Sequence, residues 1–160
     1  MEYKKVYAKG IEAKLNYGFA IGSIRLSGFL NYGYNRSILL ETYDNNPLFE
    51  GNQLMYVPLH TARANLTAEY KGFELGTYGI ISGSRETVET ADETLRLPAY
   101  SLIDLIAGFH KDFSNMKLGM FFRINNLFDQ QYEAIRSYPM PGRTIQLTIT
   151  YGLVKANPNN

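Results

Sequence analysis

Apolar and polar residues alternate with a period of two along most of the chain, and helical spacing is hard to find. In residues 144–151, Ile145, Leu147, Ile149 and Tyr151 share one face, and Thr144, Gln146, Thr148 and Thr150 share the other. In 117–125, Leu118, Met120, Phe122 and Ile124 oppose Lys117, Gly119, Phe121, Arg123 and Asn125. The same rule sets Ala62, Ala64, Leu66, Ala68 and Tyr70 against Thr61, Arg63, Asn65, Thr67 and Glu69. It also sets Leu26, Gly28, Leu30, Tyr32 and Tyr34 against Arg25, Ser27, Phe29, Asn31 and Asn35. Near the start, Ile11, Ala13, Leu15 and Tyr17 oppose Gly10, Glu12, Lys14 and Asn16. Two less regular runs, 73–85 and 100–111, complete a set of seven expected strands.

The connections alternate in length. Short polar turns are expected at 20–23, 71–72 and 112–115, and long segments at 41–55, 86–97 and 133–142. Tight turns on one side and large loops on the other mark an antiparallel meander of the kind that transmembrane barrels use. Most runs reach the ~9–11 residues that a tilted membrane strand needs, against ~5–6 for strands of soluble proteins. Aromatic residues favour strand ends (Tyr17 and Phe19, Tyr32 and Tyr34, Tyr70 and Phe73, Tyr100 and Phe109), as aromatic girdles do. The polar face carries Glu12, Arg25, Arg63 and Arg123, which suits a wet or plugged lumen and equally the solvent face of a soluble sheet.

Composition narrows the classes. The 160 residues are 45% hydrophobic and 19% charged with a net charge of +1, too apolar and too balanced for a disordered chain. That balance also argues against nucleic acid as a partner. No apolar stretch approaches the ~18–20 residues of a membrane-spanning helix; the best, 102–109, is broken by Asp104. There is no Cys, hence no disulfide, thiolate zinc site or Cys nucleophile. Thirteen Tyr and nine Phe with no Trp are a sheet composition. Met1-Glu2-Tyr3-Lys4-Lys5 does not read as a secretory leader. Catalysis has little to work with. His60 and His110 lie within strands, and Asp104 shares a face with His110 but no Ser nucleophile completes a triad. Asp44-Asn45-Asn46 lacks the calcium-loop spacing, so no metal and no cofactor are expected. Tyr43, Phe49, Tyr56, Arg85 and Arg136 are the exposed-loop or rim candidates for contact with a ligand.

The C-terminal stretch carries a more specific signal. Asn125-Asn126-Leu127-Phe128-Asp129 and then Tyr132 precede Pro141-Gly142-Arg143, which opens the final alternating run ending near Tyr151. Asn126 and Asp129 can turn the chain through their own backbone, Leu127, Phe128 and Tyr132 are expected at the outer rim, and Gly142 is expected to permit a tight re-entry into the strand. With Gly10-Ile11-Glu12 and Val57-Pro58-Leu59-His60-Thr61 upstream, this pattern resembles the C-terminal end of TonB-dependent outer-membrane receptors.

The resemblance implies an all-β chain: an antiparallel meander of about seven long strands, part of a transmembrane barrel that in this family has about 22 strands. It implies residues 1–153 as C-terminal strands of that barrel and 154–160 as a polar tail, in the outer membrane of a bacterium. It implies active uptake of a ferric siderophore, haem or cobalamin by the whole receptor, and no enzymatic activity. The implied partners are outer-membrane lipid, the remaining strands and plug domain, and the TonB complex reached through the N-terminal part. A chain of this length is expected to be a fragment, not transport-competent alone. Leu153 stands where the family has a terminal aromatic residue, and Tyr151 is expected to substitute for it in part. The rival reading is a soluble small β-barrel that lines its interior with the apolar face to bind an apolar small molecule. It needs an eighth strand or a closing element, and none is found; strand count also opposes a small autonomous membrane barrel unless several copies close together.

Overall fold

The computed structural model describes residues 3–42, 49–90 and 92–153; Tyr43, the Asp44-Asn45-Asn46 turn and the 154–160 tail lie outside them. Seven long strands follow one another: β1 (Tyr3–Ile21), β2 (Ile24–Thr42), β3 (His60–Tyr70), β4 (Phe73–Ser82), β5 (Tyr100–Asp112), β6 (Met116–Asn125) and, last in the chain, β9 (Thr144–Leu153). Between β6 and β9 stands a small hairpin, β7 (Glu133–Ile135) with β8 (Tyr138–Pro139), in a segment whose sequence reads as loop. The long strands form one sheet in the order β1-β2-β3-β4-β5-β6-β9, every pair antiparallel and every long neighbour adjacent in the chain. Both outer strands keep one unpaired edge among the described residues.

The period of two decides what each face carries. One face takes Ile11, Leu15 and Phe19 from β1, Leu26 and Leu30 from β2, Leu66 from β3 and Leu75 from β4. It continues through Ile103 and Phe109 of β5, Met120 and Phe122 of β6, and Ile145, Leu147 and Ile149 of β9. These side chains are not covered: Ile11 is 69% exposed and Ile149 64%. The other face carries Glu12, Lys14, Arg25, Arg63, Glu69, Glu74, Asp104 and Arg123, interleaved with Phe29, Tyr78 and Phe121. A sheet with an exposed apolar face encloses no interior among the described residues, which removes the cavity of the soluble-binder reading.

Tyr17 shows how closely the apolar face is fitted. Its ring lies over Gly28 of β2, where an added Cβ would collide with it, and its hydroxyl donates to the Asn65 carbonyl on β3 at 3.0 Å. Only glycine leaves room for that crossing.

Strand length departs from the expectation at one place. β1 and β2 each run 19 residues, far past the ~9–11 that cross a membrane. The excess of β2 is held by residues from the following connection. Leu39 N donates to Asn52 O (3.1 Å), Gly51 N to Leu39 O (2.8 Å) and Leu54 N to Ser37 O (2.8 Å), replacing β3 where it has ended.

Candidate functional site

The tight turns after β1, β3 and β5 gather at one end of the sheet, so the three long connections leave from the other. There they pack on one another in series. The first, 49–59, bonds to β2 and then reaches the second, 83–99, through Tyr56 N to Glu86 O (2.8 Å) and Asn52 Nδ2 to Glu89 O (2.7 Å). The second prolongs the β4–β5 hairpin by the pair Arg85–Leu97 and closes with a single 3-10 turn, Glu93–Leu95. Its polar groups turn inward: Thr87 donates to Leu95 O (2.6 Å), and Glu86 pairs with Arg96 at 2.7 Å with most of both side chains covered.

Arg85 joins the second connection to the third. Only 5% of it is exposed. Its guanidinium donates to Glu133 O (2.9 Å), Ala134 O (3.3 Å) and Pro98 O (3.4 Å), and lies 4.9 Å from the centre of the Tyr100 ring. A planar fork of donors suits several carbonyls at once, which an ammonium point charge does not. Tyr132 covers Tyr100 with ring centres 4.6 Å apart. It is therefore turned onto this cluster, and burial, reinforced by Tyr100 and Asp104 nearby, holds its hydroxyl above the ordinary tyrosine range.

The sequence candidates for ligand contact divide accordingly. Arg85 is not exposed; it is a bolt between loops, because carbonyls 48 and 49 residues downstream fold over it. Tyr56 is exposed, with a left-handed φ of 61°. Phe49 is half-buried, and Arg136 is exposed near Asp92. The carboxylate of Asp92 accepts from Thr94 Oγ1 (2.7 Å) and Thr94 N (2.9 Å), which holds it below the usual carboxylate range with a small further contribution from Arg136.

The motif residues make one knot where β6 gives way to the third connection. Asn126, buried and at φ 51°, donates its amide to Asp104 Oδ1 (2.9 Å) and its side chain brackets Gln130, accepting from Gln130 N (2.9 Å) and donating to Gln130 O (3.0 Å). Leu127 N donates to Ile103 O (2.7 Å). Asp129 accepts from Arg143 N (2.7 Å), and Arg143 Nη1 reaches Leu127 O (3.4 Å), so the start of β9 is tied back to the end of β6. Gly142 serves close approach: a Cβ there would stand 2.5 Å from Asp129 Oδ1. Phe128 (73% exposed), Pro141 and Tyr151 face outward. Asp104 was visible as a strand carboxylate, but its bond to Asn126 spans 22 residues and had no local sign.

The polar face offers recesses, not a closed pocket. One of about 320 Å³ is lined by Glu12, Lys14, Asn31, Thr61 and Arg63. Arg25 and Glu69 pair at 3.0 Å further down. The two histidines stay apart, since the backbones of His60 and His110 bond Gly83 and Gly72 at opposite ends of β4. Among the described residues no three His, Cys, Asp or Glu come together as metal ligands.

The chain matches the family model for TonB dependent receptor-like β-barrels over residues 2–127. Among solved structures it is similar to BauA, the ferric preacinetobactin receptor from Acinetobacter baumannii, at 21% identity and TM-score 0.71, covering 91% of this chain and 22% of that one. It is similar to the siderophore receptor PiuA from Acinetobacter baumannii at 22% identity and TM-score 0.71, covering 93% and 22%. It is also similar to the copper transporter OprC at 18% identity and TM-score 0.58, covering 90% and 23%. At these identities the likeness is one of fold. The chain spans about a fifth of the length of the solved receptors it resembles. No curated protein matches it by sequence.

Proposed function

We infer, since this chain belongs to the TonB-dependent receptor-like β-barrel family, that it supplies the C-terminal strands of an outer-membrane receptor for active nutrient uptake. Residues 1–153 form strands and rim, and 154–160 a polar tail. A ferric siderophore is the favoured cargo, ahead of haem and cobalamin. In support, BauA is a ferric preacinetobactin receptor, PiuA a siderophore receptor and FyuA a ferric yersiniabactin uptake receptor. The observation that carries the membrane reading is the one-sided face: large apolar side chains on all seven long strands stand exposed, while the strand carboxylates Glu12, Glu69, Glu74, Asp104 and Asp112 lie on the other side. Hydrocarbon is the solvent in which such a face is stable, and a β-sheet can cross it only within a closed barrel, since open edges there leave backbone groups unsatisfied.

The unpaired edges of β1 and β9 therefore take further strands, and the polar face surrounds a plug domain through which the TonB complex acts. Uptake belongs to that whole and not to these residues alone. The Asn126–Asp129 turn and Pro141-Gly142-Arg143 then shape the last crossing. The test is fractionation and uptake. The protein is expected in the outer membrane, released only by detergent, and disruption of its gene should abolish accumulation of at least one iron-labelled siderophore under iron limitation. Recovery in the aqueous fraction, or unchanged accumulation of every siderophore the cell imports, defeats the proposal.

A further inference from the structure

We propose that Lys9 and Arg36 form a binding site for the phosphate of an anionic lipid headgroup, on the membrane-facing side of the wall; the inference rests on the barrel reading above. The apolar face of β1 runs from Ile11 to Ile21, and that of β2 from Ile24 to Tyr34. Ten residue steps at about 3.3 Å, tilted by about 40°, give a band about 25 Å tall, the height of the apolar belt of outer-membrane barrels. The next position on that face of each strand, where headgroups begin, is Lys9 on β1 and Arg36 on β2. The two are direct cross-strand partners.

Opposed side chains in an antiparallel pair have Cβ atoms about 5 Å apart, and like charges so placed repel. Both side chains are exposed, and among the described residues neither has an acidic partner. The strand carboxylates lie on the opposite face, and Glu41, near the end of β2, stands beside Lys5 at 3.7 Å. Cations at the other end of the sheet are treated differently: Lys71 lies on the Tyr70 ring (5.1 Å) and Lys111 on the Phe113 ring (5.3 Å). Among the described residues Lys9 and Arg36 have no such ring, which leaves the pair open to an anion from outside the protein.

His60 adds a third donor. It shares the face and sits opposite Tyr34, one outward step below Arg36. Its Nδ1 is taken by the Tyr32 hydroxyl at 2.8 Å, and its Nε2 has no partner among the described residues. A guanidinium fork, an ammonium and an imidazole from three adjacent strands match the oxygens of a phosphate, with the acyl chains lying along Ile11, Leu15 and Leu30 below.

The receptor containing this chain, extracted from outer membranes in neutral detergent, is tested by native mass spectrometry with phosphatidic acid against phosphatidylcholine of equal chain length. Wild type should retain the phosphatidic acid at least tenfold more. The preference should vanish in Lys9→Gln/Arg36→Gln, which removes a repulsive pair and should not lower the unfolding temperature in neutral detergent. It should persist in Lys14→Gln/Arg63→Gln on the polar face. Inorganic phosphate at equal concentration should not displace the lipid; displacement by it would identify a free-anion site and overturn the lipid assignment. Absence of a preference in wild type, or its survival in the Lys9/Arg36 double variant, also overturns the proposal. A protein that needs no detergent overturns the barrel reading with it, whereas a detergent-dependent protein without lipid preference overturns only the site.

Discussion

Along β2 the environment reverses within a few residues. Leu26 and Leu30 stand on an uncovered face, while Leu39, further along the strand and on its other face, is buried where residues 51–54 bond to the backbone of β2. The rim buries polar groups as well: Ser37, Ser82, Arg85, Glu86, Thr87 and Asn126. The strand band thus leaves its apolar side chains uncovered and, its two outer edges apart, satisfies its backbone within the sheet. The rim covers Leu39 and Leu97 and recruits side chains to satisfy irregular backbone. The difference follows from the solvent on each side. Hydrocarbon accepts leucine and rejects an open amide; water accepts the amide and disfavours leucine, so loops there hold a shape by burying apolar side chains against each other.

The largest test of this contrast is Leu66→Arg, in the middle of the band. It should cost about 2–4 kcal/mol and block insertion of the barrel, whereas Thr67→Arg, one residue on and facing the polar side, should insert; heat-modifiable mobility on gels reads both. Ile124→Arg, nearer the rim, should fall between them. Next in size is Arg85→Ala. Losing charge-assisted bonds to three carbonyls should destabilise the rim by about 2–3 kcal/mol, with faster amide exchange confined to residues 83–99 and 126–143 and the strands unaffected. Gly28→Ala should follow, at about 1–3 kcal/mol by thermal unfolding in detergent, because a Cβ there meets the Asn65 backbone carbonyl as well as the Tyr17 ring.

The smallest effect is one of pH. The bonds from Thr94 lower the Asp92 carboxyl in the folded state, so their contribution is complete above the unfolded value of about 3.9 and is lost as pH falls through the lower folded value. Exchange of the Thr94 amide should quicken only below about pH 4. Quickening near neutrality would show that another group governs the turn.

The strands were legible because alternation is a local property: Ile145, Leu147 and Ile149 need no knowledge of β6 to be read as one face. The overshoot of β2 was not, since Ser37-Ile38-Leu39-Leu40 does not alternate and its partners lie beyond residue 50. Arg85 misled for the same reason. Within Gly83-Ser84-Arg85-Glu86 it has the surroundings of an exposed loop cation, and the carbonyls that enclose it come from β7. The Asn126–Asp129 turn was readable as a turn, because Asn and Asp tolerate left-handed backbone. That Asp129 also reaches forward to hold Arg143 was not.

The crowding at Gly28 holds that position to one residue for as long as the three strands keep their register. A lineage that gives up the aromatic at 17 still cannot enlarge residue 28 freely, because the backbone carbonyl of residue 65 stands where a Cβ would go, whatever side chain residue 65 carries. Position 17, 11 residues away, can therefore drift while position 28 stays glycine, and position 65 is tied to neither through its side chain.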